Sequence, residues 1–344
     1  MIEFIVYKLL LVVVILGITL LIATYSTYSE RKIAAFMQDR IGPNRAGPFG
    51  LLQPIADAIK FFTKEDFTPA GSDRFLFTIA PGIAMCTALL ASVVIPFGHT
   101  LQLFGKEWAL QIADLNIGIL YISGVVSIGV YGIMIGGWAS NNKYSLMGAI
   151  RASSQMISYE VGMGIALIAI IMMSGSMSLR DIVDQQAGPI WNWNIFTQPL
   201  GFLIFCTCAF AECNRTPFDL PECEQELVGG YHTEYSSMKL GLFLFSEYVN
   251  MFVSSALMSS LYFGGYNIPW VGTLGLPHNV ETLLGAAFFF VKIFLFIGFF
   301  MFIRWTIPRF RYDQLMNLGW RVLMPLAIIN MLLTGGVLLL MHGG

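Results

Sequence analysis

Eight stretches of this chain stay apolar for the length a bilayer demands, and no other feature restricts its folding as strongly. A helix needs about 20 mostly apolar residues to cross the hydrocarbon layer. Such stretches fall at about 4–29, 76–97, 115–138, 157–174, 196–213, 238–263, 283–304 and 320–341, the fourth and fifth being short and polar at one end. Of the 344 residues, 56% are hydrophobic and 12% charged, and the mean hydropathy is +0.70. A soluble domain averages about 25% charged residues, and a single soluble core cannot hide this much apolar surface. The expected fold is an all-α polytopic membrane protein with eight transmembrane helices, a single membrane domain over 1–344. The first apolar run is not read as a signal peptide. It is too long, and Glu30-Arg31-Lys32 follows it where a small-residue cleavage site would stand.

An even number of spans puts both termini on one side, and Lys and Arg decide which. Fifteen of the nineteen basic residues, from Arg31 and Lys32 to Arg311 and Arg321, fall in the loops after spans one, three, five and seven or at the adjoining helix ends. The alternate loops carry only Lys106 and Arg180. The odd-numbered loops are therefore expected to face the cytoplasm or matrix, with both termini outside. Tryptophans near both sets of span ends, Trp108 and Trp191 on one side and Trp305 and Trp320 on the other, fit aromatic belts at the two interfaces.

Against this background the buried-looking charges stand out. Glu160, Glu212 and Glu247 lie in or at the edge of apolar stretches. A charge at the centre of a span costs roughly 2.5 to 3.5 kcal/mol on insertion scales unless it faces protein or trapped water. For Glu160 and Glu212, near span ends, snorkelling to the interface competes with a role in a protonatable path. Glu247 is deeper and its stem is short, so snorkelling fits it less well. Lys292 is the one base deep in the later spans and needs an acid partner or a water pocket; Glu247 is one candidate.

The loop after span one contains Gly42-Pro43 and Gly47-Pro48, which break any helix, and then a helical pattern over 49–64. Leu51, Leu52, Ile55, Ile59 and Phe62 share one face; Gln53, Asp57, Lys60 and Lys64 share the other. Pro54 is tolerated only in the first turn. Too short to span, this segment is expected to lie on the cytoplasmic-side surface as an amphipathic helix. Asp57 then either pairs with Lys60 on a solvated face or forms the charged wall of a cavity beside the membrane.

The loop at 212–237 is acidic. Glu212, Asp219, Glu222, Glu224, Glu226 and Glu234 face Arg215 alone, on the side where positive charge prevails. Like charges this close cannot all ionise cheaply, so some sites hold protons near neutrality. The competing readings are a solvated acidic surface or a docking patch for a basic partner. Pro217 and Pro221 fix the backbone between the acids, a rigidity of little use to a merely solvated surface.

Other chemistry is sparse. Cys86, Cys206, Cys208, Cys213 and Cys223 contain no C-x-x-C pair and read as small buried residues rather than zinc or iron–sulfur ligands. His99, His232, His278 and His342 show no metal-ligand spacing. A net charge of -2 gives no footing for nucleic acid, and no phosphate-binding loop or nucleophile triad is present.

Two long segments carry a resemblance. ERKIAAFMQDRIGPNRAGPFGLLQPIADAIKFFTKE and AECNRTPFDLPECEQELVGGYHTEYSSMK resemble the signature regions of one family, the membrane subunit of respiratory complex I (NADH:quinone oxidoreductase) that borders its quinone chamber. WASNNKYSLMGAIRASSQMISYE and IRWTIPRFRYDQLMNLGW are similar to the same family, and the likeness runs through nearly the whole chain. The resemblance implies eight spans and an inner-surface helix. It also implies no flavin or cluster in this chain, with FMN and iron–sulfur clusters held by partner subunits and ubiquinone or menaquinone as substrate. The implied partners are peripheral-arm subunits that roof the chamber, one with the terminal iron–sulfur cluster, and the antiporter-like and small membrane subunits. By position, Arg31, Arg40 and Asp57 would border the chamber, with Arg215, Asp219, Glu222, Glu224 and Glu226 in the acidic loop facing it. Glu160, Glu212, Glu234, Glu247 and Lys292 would lie on the proton-coupling path. The implied location is the bacterial inner membrane, or the mitochondrial inner membrane in the alternative.

Three rival readings share parts of this pattern. A membrane component of an energy-converting hydrogenase or formate hydrogenlyase would share the acids but bind no quinone; the complete GPNRAGPFGLLQP run argues against it. A stand-alone cation/proton antiporter would show a paired ion site in broken helices and matching halves, and no internal repeat is visible. A purely structural anchor leaves the membrane acids unexplained.

Overall fold

The computed structural model describes residues 2–103, 105–219, 227–270 and 277–342. The helices are α1 (Ile2–Met37), α2 (Gln53–Thr63), α3 (Arg74–Ala91), α4 (Gly118–Ala139), α5 (Lys143–Ser174), α6 (Leu179–Gln185), α7 (Asn194–Thr197), α8 (Pro199–Glu212), α9 (Ser237–Tyr262), α10 (His278–Thr306), α11 (Tyr312–Asn317) and α12 (Met324–His342). Seven are long and apolar enough to cross a bilayer, with α11 and α12 counted as one helix running through a π-helical turn at Leu318–Leu323. The remaining apolar stretch is α8, of 14 residues. At 1.5 Å per residue it is about 21 Å long, less than the roughly 30 Å of hydrocarbon. Beyond it the chain continues as irregular, buried backbone through Cys213, Asn214, Arg215, Thr216, Phe218 and Asp219. Such backbone is tolerated at membrane depth only where protein covers it.

Local chemistry sets the boundaries. Asp73 caps α3 by accepting from the Phe75 and Leu76 amides at 3.0 and 3.2 Å. Gly175, at φ 66°, ends α5 with its amide on the Ile171 carbonyl. The surface helix begins at Gln53 rather than 49. Pro54 lacks an N–H and its ring collides with the carbonyl four residues back, so no α-turn can precede it; residues 48–50 instead form a 3₁₀ turn with Phe49 at φ 55°. Leu51, Leu52, Ile55, Ile59 and Phe62 are all exposed in the isolated chain, an apolar stripe suited to a membrane surface.

The fourth stretch is much longer than its apolar part. α5 starts at Lys143, and its polar first half packs against protein: Ala149, Ala152, Ser153 and Gln155 are buried. Hydropathy misses this half because its polar groups are satisfied by neighbours rather than by water. α4 approaches α3 closely at Gly132, where an added Cβ would lie 2.9 Å from the Ala84 nitrogen, the small-residue contact typical of membrane helices. One antiparallel hairpin, β1 (Thr100–Leu103) with β2 (Lys106–Ala109), is the sheet among the described residues. It clasps two helices: Tyr7 of α1 donates to the Ala109 carbonyl, and Asn279 of α10 exchanges two hydrogen bonds with the Gln102 backbone. The bundle therefore has a hairpin end and an opposite end at which α2 lies.

Candidate functional site

At the α2 end, charged side chains from four segments meet inside the protein. Glu30 comes from α1, Arg215 from the buried stretch after α8, Glu247 from α9 and Arg304 from α10. Arg215 lies 3.4 Å from Glu30 and 3.6 Å from Glu247, with both acids and the guanidinium buried. Arg304 holds the other oxygen of Glu30 at 2.5 Å. The Tyr248 hydroxyl donates to Glu30 at 2.9 Å, and the Arg215 guanidinium sits 4.1 Å above the Tyr248 ring. On the other flank the Tyr231 hydroxyl donates to Glu247 at 3.2 Å. Buried ions persist only when paired and hydrogen-bonded, and this network provides both.

Tyr231 is positioned from α5. Its turn, Gly230–His232, lies directly on Gly148, where an added Cβ would be 2.7 Å from the Gly230 Cα and the Tyr231 nitrogen. The Ser145 hydroxyl donates to the Tyr231 carbonyl at 2.8 Å. Gln155 steadies the irregular segment, donating to the carbonyls of Ala211 and Phe218, each at 2.8 Å.

Glu212 and Glu247 share the wall of a cavity of about 20 Å³ with Asn214, Tyr231 and Asn250. A second cavity of about 30 Å³ continues from Glu212 and Asn250 past Ser123 and Ser254. One water needs about 10–15 Å³ and two to four polar partners, so each cavity accommodates water beside Glu212. Glu160, half-buried on α5, accepts from the Ser127 hydroxyl of α4.

A larger cavity of about 330 Å³ opens between α1, α2 and α9. Thr27 and Arg31 line it from α1, Asp57 and Phe61 from α2, Phe245 and Tyr248 from α9. Asp57 is paired with Arg31 at 2.7 Å and accepts from Gln53 at 3.3 Å. Of the two readings open for Asp57 in the sequence, the structure has the cavity wall, and its cation comes from α1 rather than from Lys60. Tyr248 belongs to both places: it lines this cavity and hydrogen-bonds Glu30.

The other expected residues are placed as follows. Asp219 is buried and paired with Arg309 at 3.0 Å. Glu234 accepts from Asn142 at 2.6 Å at the edge of an open hollow. Arg40 is exposed and bonded to Gln38, and it does not line the 330 Å³ cavity. Glu222, Glu224 and Glu226 lie outside the described residues. Lys292 stands apart from Glu247. Its ammonium is 2.6 Å from the Phe263 carbonyl, 16 residues beyond Glu247 at the far end of α9, or about 24 Å along the axis. Sequence reasoning passed over Glu30, Arg304, Tyr231 and Tyr248. Glu30 read as a loop residue because α1 was expected to end at 29; it continues to Met37. Among the described residues no group of three or more His, Cys, Asp or Glu is arranged to hold a metal.

Comparison with known proteins addresses the identity of this arrangement. The family model described as NADH dehydrogenase matches residues 9–335. The chain is 64% identical over 339 residues to an H subunit of NADH-quinone oxidoreductase from Cytophaga hutchinsonii, covering 98% of each protein. It is 62% identical over 340 residues to the H subunit of the Flavobacterium johnsoniae NADH-quinone oxidoreductase, covering 98% of this chain and 96% of that one. With an H subunit from Geobacter metallireducens it shares 51% identity over 329 residues, 96% of this chain and 95% of the relative. A match that takes in both loops and nearly every helix leaves one conclusion: the chain belongs to the NADH dehydrogenase family, as an H-type membrane subunit of NADH-quinone oxidoreductase.

Proposed function

We propose that this subunit forms the membrane end of the quinone chamber and couples quinone reduction to proton translocation. The observation that carries the reading is Tyr248, which joins the wall of the 330 Å³ cavity to the buried Glu30–Arg215–Glu247 network. Quinone, ubiquinone or menaquinone, enters from the bilayer between α1 and α2. Its mouth is edged by the exposed apolar stripe of α2 and by the Arg31–Asp57 pair. The substrate moves toward the terminal iron–sulfur cluster of a peripheral-arm partner, and two electrons and two protons convert it to quinol. FMN and the remaining clusters belong to partner subunits as well.

The charge change beside the chamber is felt by the acids. Asp219, Glu222, Glu224 and Glu226 take it up in the acidic loop. Arg215 relays it, because a guanidinium shared by Glu30 and Glu247 cannot tighten on one without loosening on the other. Two charges about 4 Å apart interact by roughly 4 kcal/mol at an effective dielectric of 20, about a thousandfold in an equilibrium. Glu247, Glu212, Glu160 and Glu234 then gain or lose protons in turn, with cavity water beside Glu212. The antiporter-like and small membrane subunits receive the signal along the membrane. The reading places the chain in a bacterial inner membrane, the α2 end toward the cytoplasm and both termini outside; the bacterial relatives and the distribution of Lys and Arg support this.

Narrowing the mouth tests the quinone part. Ala58 lines the cavity and is itself exposed, so Ala58→Trp adds bulk without disturbing the core. In proteoliposomes containing the whole complex, KM should rise several-fold for long-tailed quinones and less for a short-tailed analogue. An unchanged KM for both would remove the cavity from the substrate path.

A further inference from the structure

The hairpin end of the bundle holds a second site whose chemistry does not depend on the acid network. Lys292 lies in the middle of α10, in one of the most apolar segments of the chain. An ammonium in that position is costly unless its donors are satisfied. Among the described residues no carboxylate lies within ion-pair distance of it. Its Nζ donates instead to the carbonyls of Phe263, Gly265 and Asn267, at 2.6, 2.7 and 3.4 Å. The rings of Phe288 and Trp193 lie 4.4 and 4.7 Å from it.

Each part of this arrangement suits a primary ammonium. Such a group has three N–H donors and no acceptor, and three carbonyls are offered. A ring face attracts a cation within about 6 Å, and two rings are present. The carbonyls converge because the chain turns sharply just past the end of α9, with Gly264 and Gly265 at φ 71° and 51°. Side chains rarely adopt that left-handed conformation, and glycine does so without strain. The end of α9 adds its negative dipole. The ring of Trp193 packs against Gly264, where an added Cβ would lie 2.7 Å from its indole nitrogen. Neighbouring Tyr266 and Asn267 line the hollow of about 550 Å³ at this end.

We infer that the Phe263–Asn267 turn is a binding site for a primary alkylammonium, and that Lys292 is its built-in occupant. The lysine ties the end of α9 to α10 and fixes the turn. This inference does not rest on the coupling role of Glu247 and survives if that role fails.

Two variants of the intact complex test it. Lys292→Ala keeps the Cβ and removes the equivalent of n-propylammonium. The melting temperature of the detergent-solubilised variant should fall, and added n-propylammonium should restore it. Neither n-propanol, which has the size without the charge, nor tetramethylammonium, which has the charge without N–H groups, should do so. Lys292→Met fills the space but strands three carbonyls; reduced accumulation or a lower melting temperature is expected. Two results would overturn the inference: Lys292→Met matching the parent in accumulation and melting temperature; or accumulated Lys292→Ala that the amine does not rescue, or that the alcohol rescues as well.

Discussion

Arg215 is the cation on which two acids converge, and removing it should have a cost that depends on which acid remains. It is 7% exposed and stands 3.4 Å from Glu30 and 3.6 Å from Glu247. In Arg215→Met, Glu30 keeps Arg304 and the Tyr248 hydroxyl. Glu247 keeps the Tyr231 hydroxyl and loses this guanidinium. Removing one partner of a buried ion pair costs about 3–5 kcal/mol, because the other charge is left uncompensated. Arg215→Met should therefore lower both the amount of assembled complex and its melting temperature. Adding Glu247→Gln removes the charge that Arg215 balanced, so the double variant should be more stable than Arg215→Met alone. The expected non-additivity is about 0.5–3 kcal/mol. Combining Arg215→Met with Glu30→Gln should recover less, since Arg304 then loses its acid. Melting of the purified complex, followed across these variants, gives the comparison. Strict additivity of the Arg215 and Glu247 effects would refute the view that the two share one buried interaction.

Two further outcomes are expected. Gly148→Ala places a Cβ 2.7 Å from the backbone of Gly230 and Tyr231, overpacking that costs about 1–3 kcal/mol; it should draw Tyr231 from Glu247 and lower quinone-linked turnover while leaving electron transfer to an artificial acceptor intact. At the hairpin end, the hydrogen bond and charge of Lys106 hold the exposed Glu3 carboxyl below its ordinary range. A lowered carboxylate contributes above its unfolded pKa and loses that contribution as pH falls through the lowered value. The melting curves of Glu3→Gln and the parent should therefore differ most at neutral pH and low salt, and converge in acid, with turnover unchanged throughout.

Much of the membrane architecture was legible because hydropathy reports the solvent a segment meets. It failed where protein replaces lipid or water. The polar half of α5 reads as loop because Gln155 and Ser145 are satisfied by distant backbone, and α8 is shorter than the apolar stretch because Phe196 and Thr197 belong to the separate short helix α7 and α8 starts only at Pro199. Glu160, Glu212 and Glu247 announced themselves as charges in oil. Their partners did not: Glu30 lies 185 residues before Arg215, and no local spacing links them. Asp57 shows the same limit, since i, i+3 neighbours suggested Lys60 while the fold supplied Arg31 from another helix. Lys292 was readable as a base needing a partner, but three backbone carbonyls leave no signature in side-chain pattern. The hairpin was missed for a related reason. Its short strands are held by Tyr7 and Asn279 from remote helices rather than by strong alternation of their own.

The most direct test of the coupling account is the number of protons pumped per electron in proteoliposomes carrying the whole complex with Glu247→Gln. Electron transfer from NADH to an artificial acceptor serves as the control for assembly. The account predicts normal transfer to that acceptor with quinone-linked pumping lost or severely reduced. Full pumping at an undiminished proton-to-electron ratio, in complex of normal abundance, would contradict it.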